Sequence, residues 1–136
     1  NLQLLGRREK DIYGELSLDE INSEIGACAN SLGMKTVIEQ YNSEGAIVDD
    51  IGQAAGEGFQ GIIINPAAYT HTSIAILDAI RACGIPVIEV HLSNIASREE
   101  YRKHSITAEA VIGQIAGFGK SSYLLAVQAM KEILEK

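Results

Sequence analysis

The chain has 136 residues, of which 46% are hydrophobic and 21% charged, with two prolines. That is the composition of one folded domain large enough to bury a core, and it excludes disordered, collagen-like and low-complexity chains. Eighteen acidic against eleven basic residues leave a net charge of −7, the opposite of what a general nucleic-acid or anionic-membrane binder needs. A small anion in a locally positive pocket stays open. Cys28 and Cys83 are far apart, with no CxxC and no metal-ligand spacing, and read as reduced, buried thiols of a cytoplasmic protein. No segment approaches the ~20 apolar residues of a membrane span, and no signal-peptide pattern is present.

In chain order, residues 1–6 read as a strand-to-helix loop whose strand is missing. Ser17-Leu18-Asp19-Glu20 is a capping box, with Ser and Glu three apart. Leu18, Ile21, Ile25, Cys28, Ala29 and Leu32 then recur at helical spacing until Gly33. The β-branched and aromatic residues at 36–41 predict a short strand, and residues 44–55 a second amphipathic helix with Ile47, Val48 and Ile51 inward. The apolar run 61–65 is of the kind buried on both faces of a parallel sheet. A helix over 73–83, a strand over 85–91 and a long polar irregular stretch over 92–108 follow. A last strand over 111–116 and a closing helix over 121–135 complete the chain. This alternation predicts a parallel sheet covered by helices on both faces. With one strand restored to the four visible ones, the expected fold is a five-stranded, flavodoxin-like α/β/α sandwich forming one domain over 1–136.

In such sheets ligands bind beyond the carboxyl ends of the strands. Two strands end on polar residues, Asn65 and His91, and neighbouring strands lie ~4.8 Å apart, so adjacency would place both in one cleft. The loops that follow, 66–73 and 92–94, are rich in hydroxyl, amide and imidazole groups, and His71, His91 and His104 all lie in or beyond them. Each residue also has a structural reading. Asn65 can cap a turn, Thr72 or Ser73 can cap the next helix, and the charge run 98–103 can be a solvated helical turn. A three-histidine metal site has no HxH or HExxH spacing to recommend it. Gly119-Lys120-Ser121 is not a phosphate-binding P-loop, because the position of the required first glycine is Gln114.

A set of ordered motifs carries a resemblance. Asn1-Leu2, Leu5-Gly6-Arg7-Arg8-Glu9, Tyr13-Gly14, Ile64-Asn65-Pro66 and Tyr69-Thr70-His71-Thr72-Ser73 lead into Glu89-Val90-His91-Leu92-Ser93-Asn94, Arg98-Glu99-Glu100-Tyr101-Arg102 and His104-Ser105. Together with the Ala116-Gly117-Phe118-Gly119 turn, they resemble type II 3-dehydroquinate dehydratases over essentially the whole chain. The resemblance implies a flavodoxin-like fold and reversible anti dehydration of 3-dehydroquinate to 3-dehydroshikimate through an enolate, without metal, cofactor or covalent adduct. It places the reaction in the shikimate route or in quinate breakdown. No lysine lies in the strand-end motifs where a Schiff base would form.

By the same resemblance Tyr13 is the general base, and Arg8 the cation that stabilises its phenolate. A phenol titrates near ~10, so work at neutral pH asks for a shift of ~2–3 units. His91 is the general acid, Glu89 its orienting partner, and Asn1 positions a water against the enolate oxygen. Asn65, His71 and Arg102 contact substrate hydroxyls, and the Leu92 and Ser93 amides hold the carboxylate. Asp78 reaches into a neighbouring subunit of a dodecamer built from trimers. Of the arginines at 7, 8, 98 and 102, Arg8 and Arg102 are expected to face the site. Lys10, Ala67, Leu77 and Ala96 replace the family's usual proline, glycine, arginine and histidine. If residue 67 needs positive φ, its methyl costs ~1 kcal/mol or more. The rival from another class is a non-catalytic flavodoxin-like module binding a small anion or a partner protein on the same face.

Overall fold

The computed structural model describes residues 2–5 and 16–136. Side-chain caps start three of the long helices. Helix α1 (Leu18–Ser31) opens on the expected capping box: the Ser17 hydroxyl accepts from the Glu20 N–H at 3.2 Å, and the Glu20 carboxylate accepts from the Ser17 N–H at 3.0 Å. Ser43 caps α2 (Glu44–Ala54) by accepting from the Ala46 N–H. Of the two residues that could cap α3 (Ile74–Ala82), Ser73 does so, accepting from the Ile76 N–H at 2.9 Å. Gly33 and Gly84, at φ 76° and 77°, turn the chain out of α1 and α3 through the left-handed region. The charge run becomes a one-turn helix, α4 (Glu100–Lys103), with a Lys103–Glu100 ion pair at 2.9 Å. Helix α5 (Ser121–Leu134) closes the chain.

Three parallel strands, β1 (Ile62–Ile64), β2 (Val87–His91) and β3 (Gly113–Ala116), lie in the order β1-β2-β3. Ile64 pairs with Glu89, and Glu89 with Gln114. All five residues of the central β2 are buried, and strand alternation divides them between two cores. Ile88 and Val90 point one way, with Ile63 and Ile115, into Ile21, Ile25 and Ala29 of α1 and Val127 and Met130 of α5. Val87 points the other way, with Ile62 and Ile64, into Ile51 of α2 and Ile76 and Ile80 of α3. Each fully buried isoleucine contributes about 1.5–3 kcal/mol, so the three-layer arrangement follows from the alternation itself. Val87, Glu89 and His91 share one face of β2, and only the last two are polar.

Two expectations are corrected. The sheet has three strands among the described residues, not five, and residues 36–41 form no strand. Val37 is 63% exposed, and Ile38 and Tyr41 are exposed beside it. A β-rich segment needs a neighbouring ladder before its propensity is realised; β1 is an edge of the sheet, and among the described residues its one strand partner is β2. Ile62, Ile63 and Ile64 are accordingly half-buried. The stretch 92–108 is less irregular than expected, holding α4 and 3-10 turns at Ile95–Ser97 and Thr107–Glu109. Cys28 and Cys83 are free thiols, half-buried rather than fully buried. No helix among the described residues is long and apolar enough to cross a membrane.

Candidate active site

The carboxyl ends of β1 and β2 open on one cleft. Asn65, His71, His91, Ser93, Arg98 and Arg102 line it with polar groups, while Leu2, Leu5 and Ile95 supply apolar wall. Leu92 lines it as well.

Asn65 follows β1 directly, and its amide is held at both ends. Its Oδ1 accepts from the Ala67 N–H at 3.0 Å, and its Nδ2 donates to the Tyr123 hydroxyl at 3.0 Å. One amide hydrogen and one carbonyl lone pair are left for a ligand. The turn is the one a cap would make, so the structural and functional readings of Asn65 coincide. Ala67 sits at φ 53°, the strained conformation that the missing glycine implied. Burial pushes the Tyr123 hydroxyl up to about 12, against the opposing effect of its bond to Asn65. Tyr123 is therefore a neutral strut at physiological pH.

His71 ends the 3-10 turn Ala67–His71, and its Nδ1 lies 2.8 Å from the His104 carbonyl oxygen. A carbonyl only accepts, so Nδ1 carries the hydrogen and the neutral ring presents Nε2 as an acceptor. His71 is thus set to receive a hydroxyl donor.

His91, at the end of β2, bonds through Nε2 to Glu89 Oε2 at 2.9 Å. Glu89 is fully buried. Burial pushes its carboxyl up, but bonds from His91, Thr107, Ser105 and Gln114 outweigh that and hold it below its ordinary value. Glu89 is consequently an anion inside the protein, and Nε2–H of His91 points at it. That leaves Nδ1 as the ring nitrogen available to a ligand. The carbonyls of His91 and Leu92 accept from the Gly117 and Gly119 amides, at 3.3 and 2.9 Å, which fixes the turn beyond β2.

Arg98 and Arg102 stand on opposite sides of Glu99, whose carboxylate lies 3.5 Å from Arg98 Nε and 3.3 Å from Arg102 Nε. Arg98 is mostly buried and donates from Nη1 to Ser93 Oγ at 3.3 Å. Arg102 also lies over the Tyr101 ring, 5.3 Å from its centroid. These two guanidiniums put positive charge into the cleft of a chain whose net charge is −7.

Of the expected site residues, Asn65, His71, His91, Leu92, Ser93 and Arg102 come together here, with Glu89 directly behind His91. Asp78 is exposed on α3 and does not line the cleft. Asn1, Arg8 and Tyr13 lie outside the described residues. Sequence reasoning missed Arg98 as a cleft residue, along with the supporting roles of Tyr123, Ser105, Thr107 and Gln114. Arg98 had a signal, its position four residues before Arg102. Gln114 had one too, as a polar residue that strand pairing sets beside Glu89. Among the described residues, no group of three or more His, Cys, Asp and Glu could hold a metal ion.

The Dehydroquinase class II family model matches residues 1–131. The 3-dehydroquinate dehydratase of Caldicellulosiruptor saccharolyticus is 55% identical over 134 residues, covering 98% of this chain and 92% of the relative. That of Geotalea daltonii is 54% identical over 136 residues, covering 100% and 94%. The crystal structure of type II dehydroquinase from Butyrivibrio crossotus superposes with a TM-score of 0.94 at 43% identity, covering 97% of this chain and 91% of that one. Matched over nearly its full length by sequence, structure and family pattern alike, the chain belongs to the class II dehydroquinase family.

Proposed function

We propose that this chain is a hydro-lyase that dehydrates 3-dehydroquinate to 3-dehydroshikimate, in the shikimate route to aromatic amino acids. The observation that carries the reading is the buried Glu89–His91 pair opening on a basic, strand-end cleft. A small polyhydroxylated carboxylate suits that cleft: guanidiniums and backbone amides answer its carboxylate, while Asn65 and His71 offer partners to its hydroxyls.

The chemistry balances on two groups. Tyr13, as a phenolate stabilised by Arg8, takes the proton from the carbon next to the ketone, and the electron pair moves into an enolate. Asn1 holds a water against the enolate oxygen. The enolate then collapses, the carbon–oxygen bond breaks on the opposite face, and His91 protonates the departing hydroxyl from Nδ1, so that water leaves. Glu89 keeps the imidazolium oriented and balanced in charge. Both protons return through solvent, and the cycle uses no metal or other cofactor. A non-catalytic anion-binding module accounts for the basic residues, but it gives no reason to bury a carboxylate against His91. The protein works in the cytoplasm as a dodecamer built from four trimers, in which Asp78 of one subunit reaches the cleft of its neighbour.

The decisive assay adds 3-dehydroquinate to an assembled preparation and follows the ultraviolet absorbance of the conjugated enone. Turnover is expected, with loss of activity in Tyr13→Phe and His91→Ala while the fold persists. A silent wild-type preparation overturns the assignment, and a monomeric mass in solution overturns the assembly.

A further inference from the structure

Glu89 is bound more completely than orienting one histidine requires. A carboxylate offers about four lone-pair sites. Its Oε2 accepts from His91 Nε2 at 2.9 Å, Ser105 Oγ at 2.8 Å and Gln114 Nε2 at 2.6 Å. Thr107 donates its hydroxyl to Oε1. Besides His91, the donors come from the approach to the 3-10 turn Thr107–Glu109, from that turn itself, and from β3. None of the three lines the substrate cleft. Ser105 and Gln114 instead border a separate, shallower hollow of about 380 Å³ that Lys103, His104 and Glu109 also line. Among the described residues the ionisable group bonded to Glu89 is His91 on its own strand; Lys103, His104 and Glu109 line the hollow that Ser105 and Gln114 border, and β1 sets Ile64 beside Glu89.

We propose that Ser105, Thr107 and Gln114 are positioning residues for the dehydration, acting through Glu89: they hold its carboxylate ionised and in one place, and so fix the Nε2–H form of His91 with Nδ1 turned to the leaving hydroxyl. This rests on the assignment of His91 as general acid. The chemistry follows from counting donors. Protonating Glu89 leaves at least one of four converging donors without an acceptor, so the Nε2 proton stays on His91 and the acidic proton of the imidazolium is the one on Nδ1, which faces the leaving group. Removing one donor relaxes that constraint, and the proton can then rest on Glu89 and leave His91 a poorer acid.

The test compares Thr107→Val, which keeps the shape and deletes the hydroxyl, with Thr107→Ser, which keeps the hydroxyl. Gln114→Leu, at an exposed position of the edge strand β3, serves as a second deletion should the buried valine disturb folding. Titration of the Glu89 carboxyl by carbon-13 NMR is expected to move up by about one pH unit in both deletion variants, the scale set by one hydrogen bond to a charged group. It should stay at the wild-type position in Thr107→Ser. In parallel, kcat per active site falls about tenfold in the deletions with KM within about twofold, and Thr107→Ser restores it. A purely structural role lowers the folded fraction without moving the Glu89 titration. The proposal is overturned if the titration stays put in Gln114→Leu and in folded Thr107→Val, or if Thr107→Ser moves it as far as Thr107→Val. The NMR arm needs no turnover, so failure of the dehydratase assignment, seen as an inactive wild type, is distinguishable from failure of the cradle.

Discussion

The alanine at position 67 carries a cost that can be measured. Its φ of 53° lies in the left-handed region, where a Cβ crowds the following carbonyl by about 1–2 kcal/mol. Glycine removes that clash, although its freer unfolded chain takes back about 0.4–1 kcal/mol. Ala67→Gly therefore stabilises by about 0.5–1 kcal/mol, which for a chain of this size raises Tm by about 2–4 °C. The bond that shapes the turn survives, because Asn65 Oδ1 accepts from the backbone N–H of residue 67 and not from its side chain. Scanning calorimetry at fixed protein concentration reads the effect, since any self-association makes Tm concentration-dependent. Ala67→Val is the opposite control: a β-branched side chain at positive φ should lower Tm by several degrees. If the glycine variant melts below the wild type, or valine is tolerated as well as alanine, the strain argument fails.

Other consequences follow from the same bonds. Tyr123→Phe deletes the acceptor of the Asn65 amide; it should cost about 1–3 kcal/mol in urea denaturation and raise KM, because Asn65 can then rotate. His71→Ala should raise KM about 2–10-fold with kcat nearly unchanged, the loss of one neutral hydrogen bond. Glu89 gives stability a pH dependence of definite sign. Its folded pKa lies below the ordinary value of 4.5, so its contribution is complete above that value and is lost as pH falls through the depressed one. Urea midpoints measured from pH 7 down to pH 3 should fall on the acid side, and Glu89→Gln should flatten that fall.

What could be read in the sequence was local. The Ser17–Glu20 box, the cap at Ser73 and the glycines after α1 and α3 act within one helical turn, so their residue types suffice. Asn65 and His91 were legible by a topological rule, because a polar residue ending an apolar parallel strand has one place to go. The failures were non-local. Whether 36–41 becomes a strand depends on a neighbouring ladder, which its own β-branched residues cannot supply. The partners of Glu89 lie 16, 18 and 25 residues away from it in sequence, and only the β2–β3 register and a 3-10 turn bring them in. Tyr123 lies 58 residues from Asn65 in sequence, and its hydroxyl gives no local hint of that partner.

Strand β2 shows why the site could be placed without its supports being seen. Its alternation sends Ile88 and Val90 into the core against α1 and α5, and Glu89 and His91 into the opposite layer. A parallel central strand is ordinarily apolar on both faces, so two ionisable residues on one face are an anomaly that must be satisfied in place. An isolated buried carboxylate costs several kcal/mol; four donors reduce that cost only if they arrive with fixed geometry. The donors are therefore drawn from the segment that folds over the strand end and from the adjacent strand, the two pieces of chain that the fold already holds against β2. The anomaly marks the candidate site in the sequence, while its neutralisation is a property of the assembled sheet. His91 was readable as a polar strand end and Glu89 through the family resemblance, whereas Ser105, Thr107 and Gln114 became readable only once β3 was docked beside β2.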